Sequence, residues 1–325
     1  MVLSSQLAAD PLLGMSERVT IIIPCYNAER WIGQSIESAL RQTWHDKEVI
    51  VINDGSSDGS PAVAKSYQNR GVRVLDQTNR GAAAARNTGL KEARGSFVQF
   101  LDADDLLAPD KIERQMRLLA GGSGRRIASG EWARFQSDPN EGVFAPHSNW
   151  RDLGGVEFLQ SNYEEIDMMH PGAWLAPRAL LDRAGPWNES LSLNDDGEYF
   201  ARVVLAAESI VFCAGARSYY RSNLSGSLSG RTDQRALESL YRSTELILQH
   251  LLASDISPRT RSAAAYAWKW ISFELYPGAP ELSRRAECHS HDLGGSSRPF
   301  PAGGRFQLAS KFLGWRLAKR WVLRS

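Results

Sequence analysis

The stretch VTIIIPCYN, residues 19–27, and the stretch EVIVINDGSSDG, residues 48–59, follow one pattern. Each begins with an apolar, largely β-branched run and ends in polar residues. Short runs that are apolar throughout are typical of strands buried on both faces of a parallel sheet. Reading outward from these two stretches, we predict strands at Val19–Pro24, Glu48–Asn53, Val72–Asp76 and Ser96–Asp102.

Helical patterns separate these strands. Glu29–Gln42 has apolar residues at helical spacing, Ser57 and Pro61 are a helix start, and a third helix runs from Gly81 toward Ala93. Alternation of strands and helices predicts an α/β fold, a Rossmann-like, mainly parallel sheet flanked by helices.

Further elements are predicted beyond this unit. Helices are expected at Pro109–Ala120, at Asp195–Ala207 and, as a pair, between Asp233 and Phe273, with two strands at Ser209–Cys213 and Arg217–Arg221. The segments 121–126 and 136–153 are predicted to be loops. The chain after Phe273 is rich in Gly, Pro and Ser, and we interpret it as a linker with a basic tail.

Composition excludes several classes of protein. The 38 basic and 37 acidic side chains of the 325 residues nearly cancel, so no global field favours nucleic acid. Three widely spaced cysteines without a CxxC pair fit a reducing compartment. Residues 1–14 lack the features of a signal peptide, and no apolar run is long enough to span a bilayer. We therefore expect a cytoplasmic protein that has no nucleic-acid partner.

Acidic residues follow the predicted strands. Asp54 comes directly after the second strand, Asp102 is the last residue of the fourth, and Asp104 follows it. Ligands of open parallel sheets bind beyond the carboxyl ends of the strands, so we expect these carboxylates to converge there. Two carboxylates two residues apart would repel without a cation, and their oxygens suit Mg²⁺ or Mn²⁺. The alternative is a solvated, Asp-rich turn that caps the next helix.

Four motifs in this order resemble family 2 glycosyltransferases of the GT-A fold. They are Ile22–Glu29 (IIPCYNAE), Val51–Asp58 (VINDGSSD), Asn79–Gly89 (NRGAAAARNTG) and Leu101–Asp105 (LDADD). The resemblance is dense over residues 17–120 and thinner to residue 222. It implies a GT-A domain at residues 17–222, between an N-terminal extension at 1–16 and a helical C-terminal extension with a basic tail at 223–325.

The resemblance also implies roles for individual residues. Pro24, Tyr26 and Asp54 would hold the nucleoside of a nucleotide-sugar, and Arg86 would help to bind this donor. Asp102 and Asp104 would form the DxD element that carries Mn²⁺ or Mg²⁺ on the diphosphate. Asn27 and Glu29 belong to the same donor-binding motif.

An acceptor-side stretch is implied further along the chain. Gly185–Leu191 (GPWNESL) and Asn194–Arg202 (NDDGEYFAR) are similar to the family's acceptor segment, in which a Glu-Asp pair supplies the catalytic base. Here the pair is Asp195 and Asp196, and Asp196 aligns with the base. Both are carboxylates, so either remains a candidate, and both could instead simply complement the dipole of a helix N-terminus.

The implied function is a metal-dependent, inverting glycosyltransferase, of hexosyltransferase type. It would transfer a sugar, first of all from a UDP-sugar, to a hydroxyl of a saccharide or lipid-linked acceptor in the assembly of a surface polysaccharide or glycolipid of the cell envelope. The base would deprotonate the acceptor hydroxyl, which attacks the anomeric carbon in one displacement.

Two other functions compete with this interpretation. Gly55–Gly59 (GSSDG) fits the GxSxG nucleophile elbow of α/β hydrolases, with Ser57 as nucleophile, but requires a histidine partner. A nucleotide-binding protein that has lost turnover would retain the fold. The intact carboxylates at positions 54, 102, 104 and 196 argue against such a protein without catalytic turnover.

Three remaining signals have structural and functional interpretations. His170 could be a metal ligand or an acceptor contact, but a hydrogen-bonded structural role is expected. His289 and His291 beside Cys288 suggest zinc, yet lack further ligands at usable spacing and are interpreted as loop residues. The tail at 305–325 combines basic and aromatic residues without an acid. It is predicted either to contact the inner face of the cell membrane peripherally or to dock onto the catalytic domain.

Overall fold

A computed structural model of the chain describes residues 17–120, 122–223, 230, 232–300 and 302–322. The predicted N-terminal extension at 1–16 and the tail residues 323–325 lie outside this part of the chain.

In the described part of the chain, eight strands form two sheets. They are β1 Val19–Cys25, β2 Lys47–Asp54, β3 Arg73–Gln77, β4 Phe97–Phe100, β5 Leu106–Leu107, β6 Arg126–Phe135, β7 Ala176–Pro177 and β8 Ser209–Arg221. The larger sheet has the order β3-β2-β1-β4-β7, with parallel pairing among the first four strands and an antiparallel β7 at the edge. The predicted α/β fold with a mainly parallel sheet is confirmed.

Twelve α-helices accompany the strands within the residues that the structure describes. They are α1 Ile32–Leu40, α2 Ser60–Lys65, α3 Ala82–Glu92, α4 Lys111–Leu119, α5 Gly155–Glu165, α6 Arg178–Ala184, α7 Asp195–Ala206, α8 Gln234–Ser254, α9 Pro258–Leu275, α10 Pro280–Asp292, α11 Gly304–Leu313 and α12 Trp315–Val322. Each predicted crossover helix is present, with its ends shifted by a few residues.

The core lies on both faces of the larger sheet. Successive residues of β1 point to opposite faces, so that Ile21 and Ile23 pack in one cluster with α1 and α4, while Ile22 packs in the other with α3 and α5 to α7. Gly89 of α3 is essential to this packing, because a Cβ there would lie 2.4 Å from Cγ2 of Ile22. The missing side chain lets α3 approach β1 closely, which fixes the position of Arg86 one turn earlier.

The smaller sheet has the order β5-β8-β6. The two strands predicted at 209–213 and 217–221 are parts of β8, which pairs in parallel with β6 through an irregularity at Gly130 and Glu131. β6 lies where the sequence analysis placed only loop and unassigned residues. Its apolar alternation is interrupted by Gly130, Glu131 and Arg134, so its strand character depends on pairing with β8 rather than on local pattern.

The helical C-terminal extension is confirmed, but the linker predicted after Phe273 is wrong. Residues 280–292 form α10, so His289 and His291 are helical rather than loop residues. Leu237 of α8 and Trp268 of α9 share one hydrophobic cluster with Tyr199 of α7. The extension therefore packs on the α/β unit through a continuous core. Among the described residues, no helix is long and apolar enough to cross a membrane.

Candidate active site

The carboxyl ends of β1, β2 and β4 carry the predicted donor-binding residues to one edge of the sheet. Pro24 pairs with Ile52 near the ends of β1 and β2, and Tyr26 directly after β1 is 51% exposed. Asp102 lies beyond β4, which ends at Phe100 rather than at the predicted Asp102. An exposed aromatic side chain at this edge is suited to stacking on a nucleobase.

Asn27 and Glu29 connect the loops that follow β1 and β2. Asn27 adopts a left-handed backbone with φ 48°, and its Oδ1 accepts from the backbone N–H of Ser57 at 2.8 Å. Glu29 Oε2 accepts from the N–H of Gly59 at 2.9 Å. Asn27 and Glu29, both predicted donor-site residues, thus hold together the loops at this edge of the sheet.

Asp54 is buried, with 2% of its surface exposed, and holds the loop before α3. Its Oδ1 accepts from Gln77 Nε2 at 2.7 Å and from the N–H of Arg80 at 3.0 Å, and its Oδ2 accepts from the N–H of Gly81 at 2.8 Å. A carboxylate has about four acceptor positions, so one is left for a ligand. The structure connects Asp54 to Asp102 only indirectly, through α3.

Arg86 of α3 joins the two halves of the site. It donates to Asp102 Oδ1 at 2.7 Å and to Asp195 Oδ2 at 2.9 Å, and its guanidinium lies 4.4 Å from the ring centre of Trp187. Burial alone would lower the pKa of Arg86, but the charges of the two carboxylates outweigh burial and raise it. The sequence indicated a donor-binding Arg86 but not its contact with Asp195, 109 positions away.

Asp104 and Asp105 have different surroundings. Burial, and then the charges of Asp105 and Asp102, raise the pKa of Asp104 to about 8. Asp105 points inward, where it accepts from the N–H of Arg221 at 2.8 Å and contacts His170 Nδ1 at 3.1 Å. Burial and the two neighbouring carboxyl groups therefore both disfavour the ionised form of Asp104.

The crowded carboxylates fit a divalent cation. A cation beside Asp102 and Asp104 would offset the repulsion that raises the Asp104 pKa, and both supply the oxygen atoms that Mg²⁺ and Mn²⁺ prefer. In the described part of the chain, no group of three or more His, Cys, Asp or Glu side chains is placed to hold a metal. Further ligands would therefore have to come from phosphate oxygens and water.

The two aspartates at the start of α7 are not equivalent. The carboxylate of Asp195 forms an ion pair with Arg86, whereas Asp196 Oδ1 accepts from the N–H of Gly197 at 2.9 Å. Burial and the charge of Asp195 raise the pKa of Asp196 to about 6. A carboxylate with this pKa is ionised at neutral pH and more basic than an ordinary aspartate, so of the two Asp196 is better suited to accept a proton.

Asn87 and Trp187 were not singled out from the sequence. Asn87 Nδ2 donates to the carbonyl of Trp187 and to Glu189 Oε1, both at 2.9 Å, and Asn87 Oδ1 accepts from the N–H of Trp187 at 2.8 Å. This clamp fixes the segment 187–189 beside Arg86. Their positions within the quoted ARN and GPW stretches are the signal that could have identified them.

His170 has the expected structural role. The ring is buried and lies between Asp105 and Ser218, with Nε2 2.8 Å from Ser218 Oγ. Burial lowers the pKa of His170 to about 4, which keeps it neutral at physiological pH. Ser57 instead donates to Asn27 Oδ1, so the histidine partner that a hydrolase would need is not His170. His289 on α10 contacts the hydroxyl of Tyr241.

A model of glycosyl transferase family 2 matches residues 20–185, about half of the chain. The chain belongs to this family. The uncharacterized glycosyltransferase EpsJ of Bacillus subtilis is 45% identical over 217 residues, which are 63% of this chain and 61% of EpsJ. The glycosyltransferase GlyA of Streptococcus pneumoniae is 29% identical over 225 residues, which are 66% of this chain and 32% of GlyA. The chain thus spans less than two thirds of the length of either relative.

Solved structures share the fold. Residues 1–349 of TarS from S. aureus, in complex with UDP-GlcNAc, superpose with a TM-score of 0.64 at 19% identity, over 89% of this chain and 95% of that one. The mannosyltransferase PcManGT of Pyrobaculum calidifontis, in complex with GDP-Man and Mn²⁺, gives 0.55 at 18% identity, over 98% and 86%. The predicted family and the predicted GT-A fold are both confirmed.

Proposed function

We propose that this family 2 protein is an inverting glycosyltransferase that moves a hexosyl group from a nucleotide-sugar to an acceptor hydroxyl. The observation that carries the proposal is the bridge made by Arg86. Its ion pairs place the carboxylate after β4 and the N-terminus of α7 on opposite sides of one guanidinium. Donor binding and proton abstraction would thus occur in a single cleft.

The donor would bind along the carboxyl edge of the sheet. Tyr26 offers an exposed ring to the base, and Asp54 has a remaining acceptor position for a nucleoside N–H or hydroxyl. Pro24, Asn27 and Glu29 would shape the loop around the nucleoside, and Arg86 would restrain the diphosphate side. UDP is the first nucleotide to test, since the solved TarS complexes contain UDP and UDP-GlcNAc, and GDP is the second.

Asp102 and Asp104 would hold Mn²⁺ or Mg²⁺. When bound, such an ion stabilises the negative charge that develops on the departing nucleoside diphosphate. Arg86 keeps one oxygen of Asp102 oriented by its 2.7 Å hydrogen bond. Burial and the neighbouring carboxyl groups disfavour ionised Asp104, and a cation bound there would favour it.

Asp196 would act as the general base. At neutral pH its carboxylate would take the proton from the acceptor hydroxyl, and that oxygen would attack the anomeric carbon opposite the leaving group. One displacement inverts the configuration. Asp195 would not compete for the proton, because its carboxylate pairs with Arg86.

Nucleotide-sugars can be screened for Mn²⁺-dependent thermal stabilisation and then for transfer. We expect one donor to raise the midpoint of thermal unfolding of wild type in Mn²⁺ but not in EDTA. Asp104→Ala should lose this response. Asp110→Ala, which removes an exposed carboxylate paired with Arg114, is the matched control and should respond like wild type. Equal stabilisation of wild type and Asp104→Ala would refute the metal assignment.

We also propose that residues 304–322 contact the inner face of the cell membrane, where a lipid-linked or saccharide acceptor of envelope assembly would be reached. One side of these two helices docks on the body, with Phe306 and Ala318 buried beside Phe273. The other side exposes large apolar residues: Leu308 at 62%, Phe312 at 81%, Leu317 at 56% and Trp321 at 53%. Membrane contact and docking onto the catalytic domain, which were predicted as alternatives for the tail, are therefore compatible.

The charge of this surface favours anionic lipid. Arg305, Lys311 and Arg320 are exposed beside the apolar residues, and no acidic residue occurs after residue 304. Flotation with vesicles that contain phosphatidylglycerol should recover wild type but not Phe312→Ser/Trp321→Ser. Val143→Ser/Ile256→Ser, which removes two equally exposed apolar side chains elsewhere, should float like wild type. Failure of wild type to float at low salt would refute membrane contact.

A further inference from the structure

The segment that leads into the proposed base is held by a helix of the C-terminal extension. Ser239 Oγ of α8 accepts from the N–H of Ser192 at 2.8 Å and of Leu193 at 2.9 Å, and it donates to the carbonyl of Leu193 at 2.9 Å. One hydroxyl thus satisfies three backbone groups of the loop that precedes α7. Such groups would otherwise be unpaired beside the core.

Asn194, the next residue, is held by the same helix. Its Nδ2 donates to Ser243 Oγ at 2.9 Å, and Ser243 lies one turn after Ser239. Asn194 has a left-handed backbone with φ 58°, a sparsely populated conformation that persists where surrounding contacts impose it. Its amide also covers Gly197, where a Cβ would lie 2.2 Å from Asn194 Oδ1.

The turn at Asn194 determines how Asp195 and Asp196 leave the loop. A change in its φ would rotate both carboxylates relative to Arg86, which is fixed from the other side of the cleft by Asp102. Packing supports the same orientation of α7, because Leu237 and Tyr241 of α8 share a hydrophobic cluster with Tyr199 and Val203 of α7. The extension and the catalytic helix therefore behave as one block.

We propose that Ser239 and Ser243 are positioning residues, through which the extension sets the backbone that aims Asp196 at the acceptor. This inference rests on the proposed function, in which Asp196 is the base. Neither serine contacts the donor edge, so donor binding should not depend on them. Misplacement of a base by about 1 Å can cost roughly a hundredfold in rate.

The test compares Ser239→Ala/Ser243→Ala with a matched control, Ser283→Ala/Ser290→Ala. The first pair is 6% and 0% exposed and the second 0% and 5%, so each variant deletes two buried hydroxyls of the extension. The control hydroxyls donate only to carbonyls within the extension, those of Ser272 and Ala265. Transfer kinetics, donor binding and amide hydrogen exchange over residues 192–197 are measured for both.

We expect Ser239→Ala/Ser243→Ala to lower kcat by roughly tenfold or more with an unchanged KM for the donor, and to shift the acid limb of the pH profile. Amides 192–197 should exchange faster than in the control. If both variants match in kcat and in exchange, the inference is wrong. If wild type transfers no sugar, the proposed function fails, and the exchange comparison alone decides whether α8 fixes the loop. Should the double variant not fold, the two single variants provide the same comparison.

Discussion

Removal of the Arg86 guanidinium tests whether this residue is the electrostatic centre of the site. In Arg86→Met, Asp102 and Asp195 lose a partner that contacts them at 2.7 and 2.9 Å from a side chain that is 6% exposed. Breaking a buried ion pair from one side costs about 3–5 kcal/mol, because the remaining charge stays buried without compensation. Methionine retains most of the apolar contact with Trp187, so this cost is chiefly electrostatic.

The expected loss is large enough for thermal unfolding. At about 2.1 cal/mol/K per residue, a chain of 325 residues unfolds with an entropy of about 0.7 kcal/mol/K. A loss of about 3–5 kcal/mol therefore lowers the midpoint by about 4–7 °C. The control Arg114→Met removes an exposed i,i+4 pair and should change the free energy of unfolding by less than about 1 kcal/mol.

The sign of the pH dependence separates electrostatics from packing. Burial raises the pKa of Asp195 and the charge of Arg86 lowers it, so without Arg86 the ionised Asp195 destabilises the folded state further and stability falls as pH rises. In EDTA, the deficit of Arg86→Met should be largest near pH 8 and shrink toward pH 4. Arg86→Lys keeps the charge but not the planar array of donors, so its loss of stability should be smaller than that of Arg86→Met but not zero. A deficit independent of pH, or one no larger than that of Arg114→Met, would refute the reasoning.

Four further predictions concern single residues. Since the pKa of Asp196 is raised to about 6 and the base must be ionised, transfer should be lost as pH falls through about 6, and Asp196→Asn should abolish it at every pH. Ionised Asp196 destabilises the folded state, so Asp196→Asn should unfold at a higher temperature than wild type at pH 8 but not at pH 4; a lower midpoint at pH 8 would contradict this sign. Gly89→Ala would force a Cβ to within 2.4 Å of Ile22 and should cost about 1–3 kcal/mol in urea unfolding, whereas Gly154→Ala, at a position with φ -74° and nothing within 4 Å of the added Cβ, serves as the open-space comparison. Asp54→Ala leaves the N–H groups of Arg80 and Gly81 unpaired and should weaken nucleotide binding in calorimetry; unchanged affinity would exclude Asp54 from the donor site.

The sequence predicted the part of the fold in which local pattern and tertiary environment agree. β1 and β2 are apolar throughout because both faces of the sheet are covered, and their polar ends lie at the ligand-binding edge. β6 was missed because its residues become a strand only through long-range pairing with β8. The helix α10 was missed because the residues that it buries, Ser283, Ala286 and Ser290, are small and mostly polar, so no apolar pattern marks the face that packs on α9.

For the site, the sequence indicated which residues are chemically capable but not how they are connected. Asp54, Asp102, Asp104 and Asp196 were selected as carboxylates in family motifs. Nothing in their spacing predicts that the oxygens of Asp54 accept from Gln77 and from the loop before α3, or that Asp195 pairs with Arg86. The choice between Asp195 and Asp196 as base, open from the sequence, now favours Asp196 on the basis of this ion pair.

The role of the C-terminal extension was harder to predict from the sequence than that of the GT-A motifs. A motif is recognisable when several reactive groups must occupy fixed positions in one short segment, as at Leu101–Asp105. Ser239 contributes one hydroxyl to backbone groups, and Ser243 one to the side-chain amide of Asn194, all more than 40 positions earlier, and serine on a helix is common. Their effect exists only because α8 packs along α7. Residues that hold an active site from a second structural unit can therefore be essential for its geometry without leaving any pattern in the sequence.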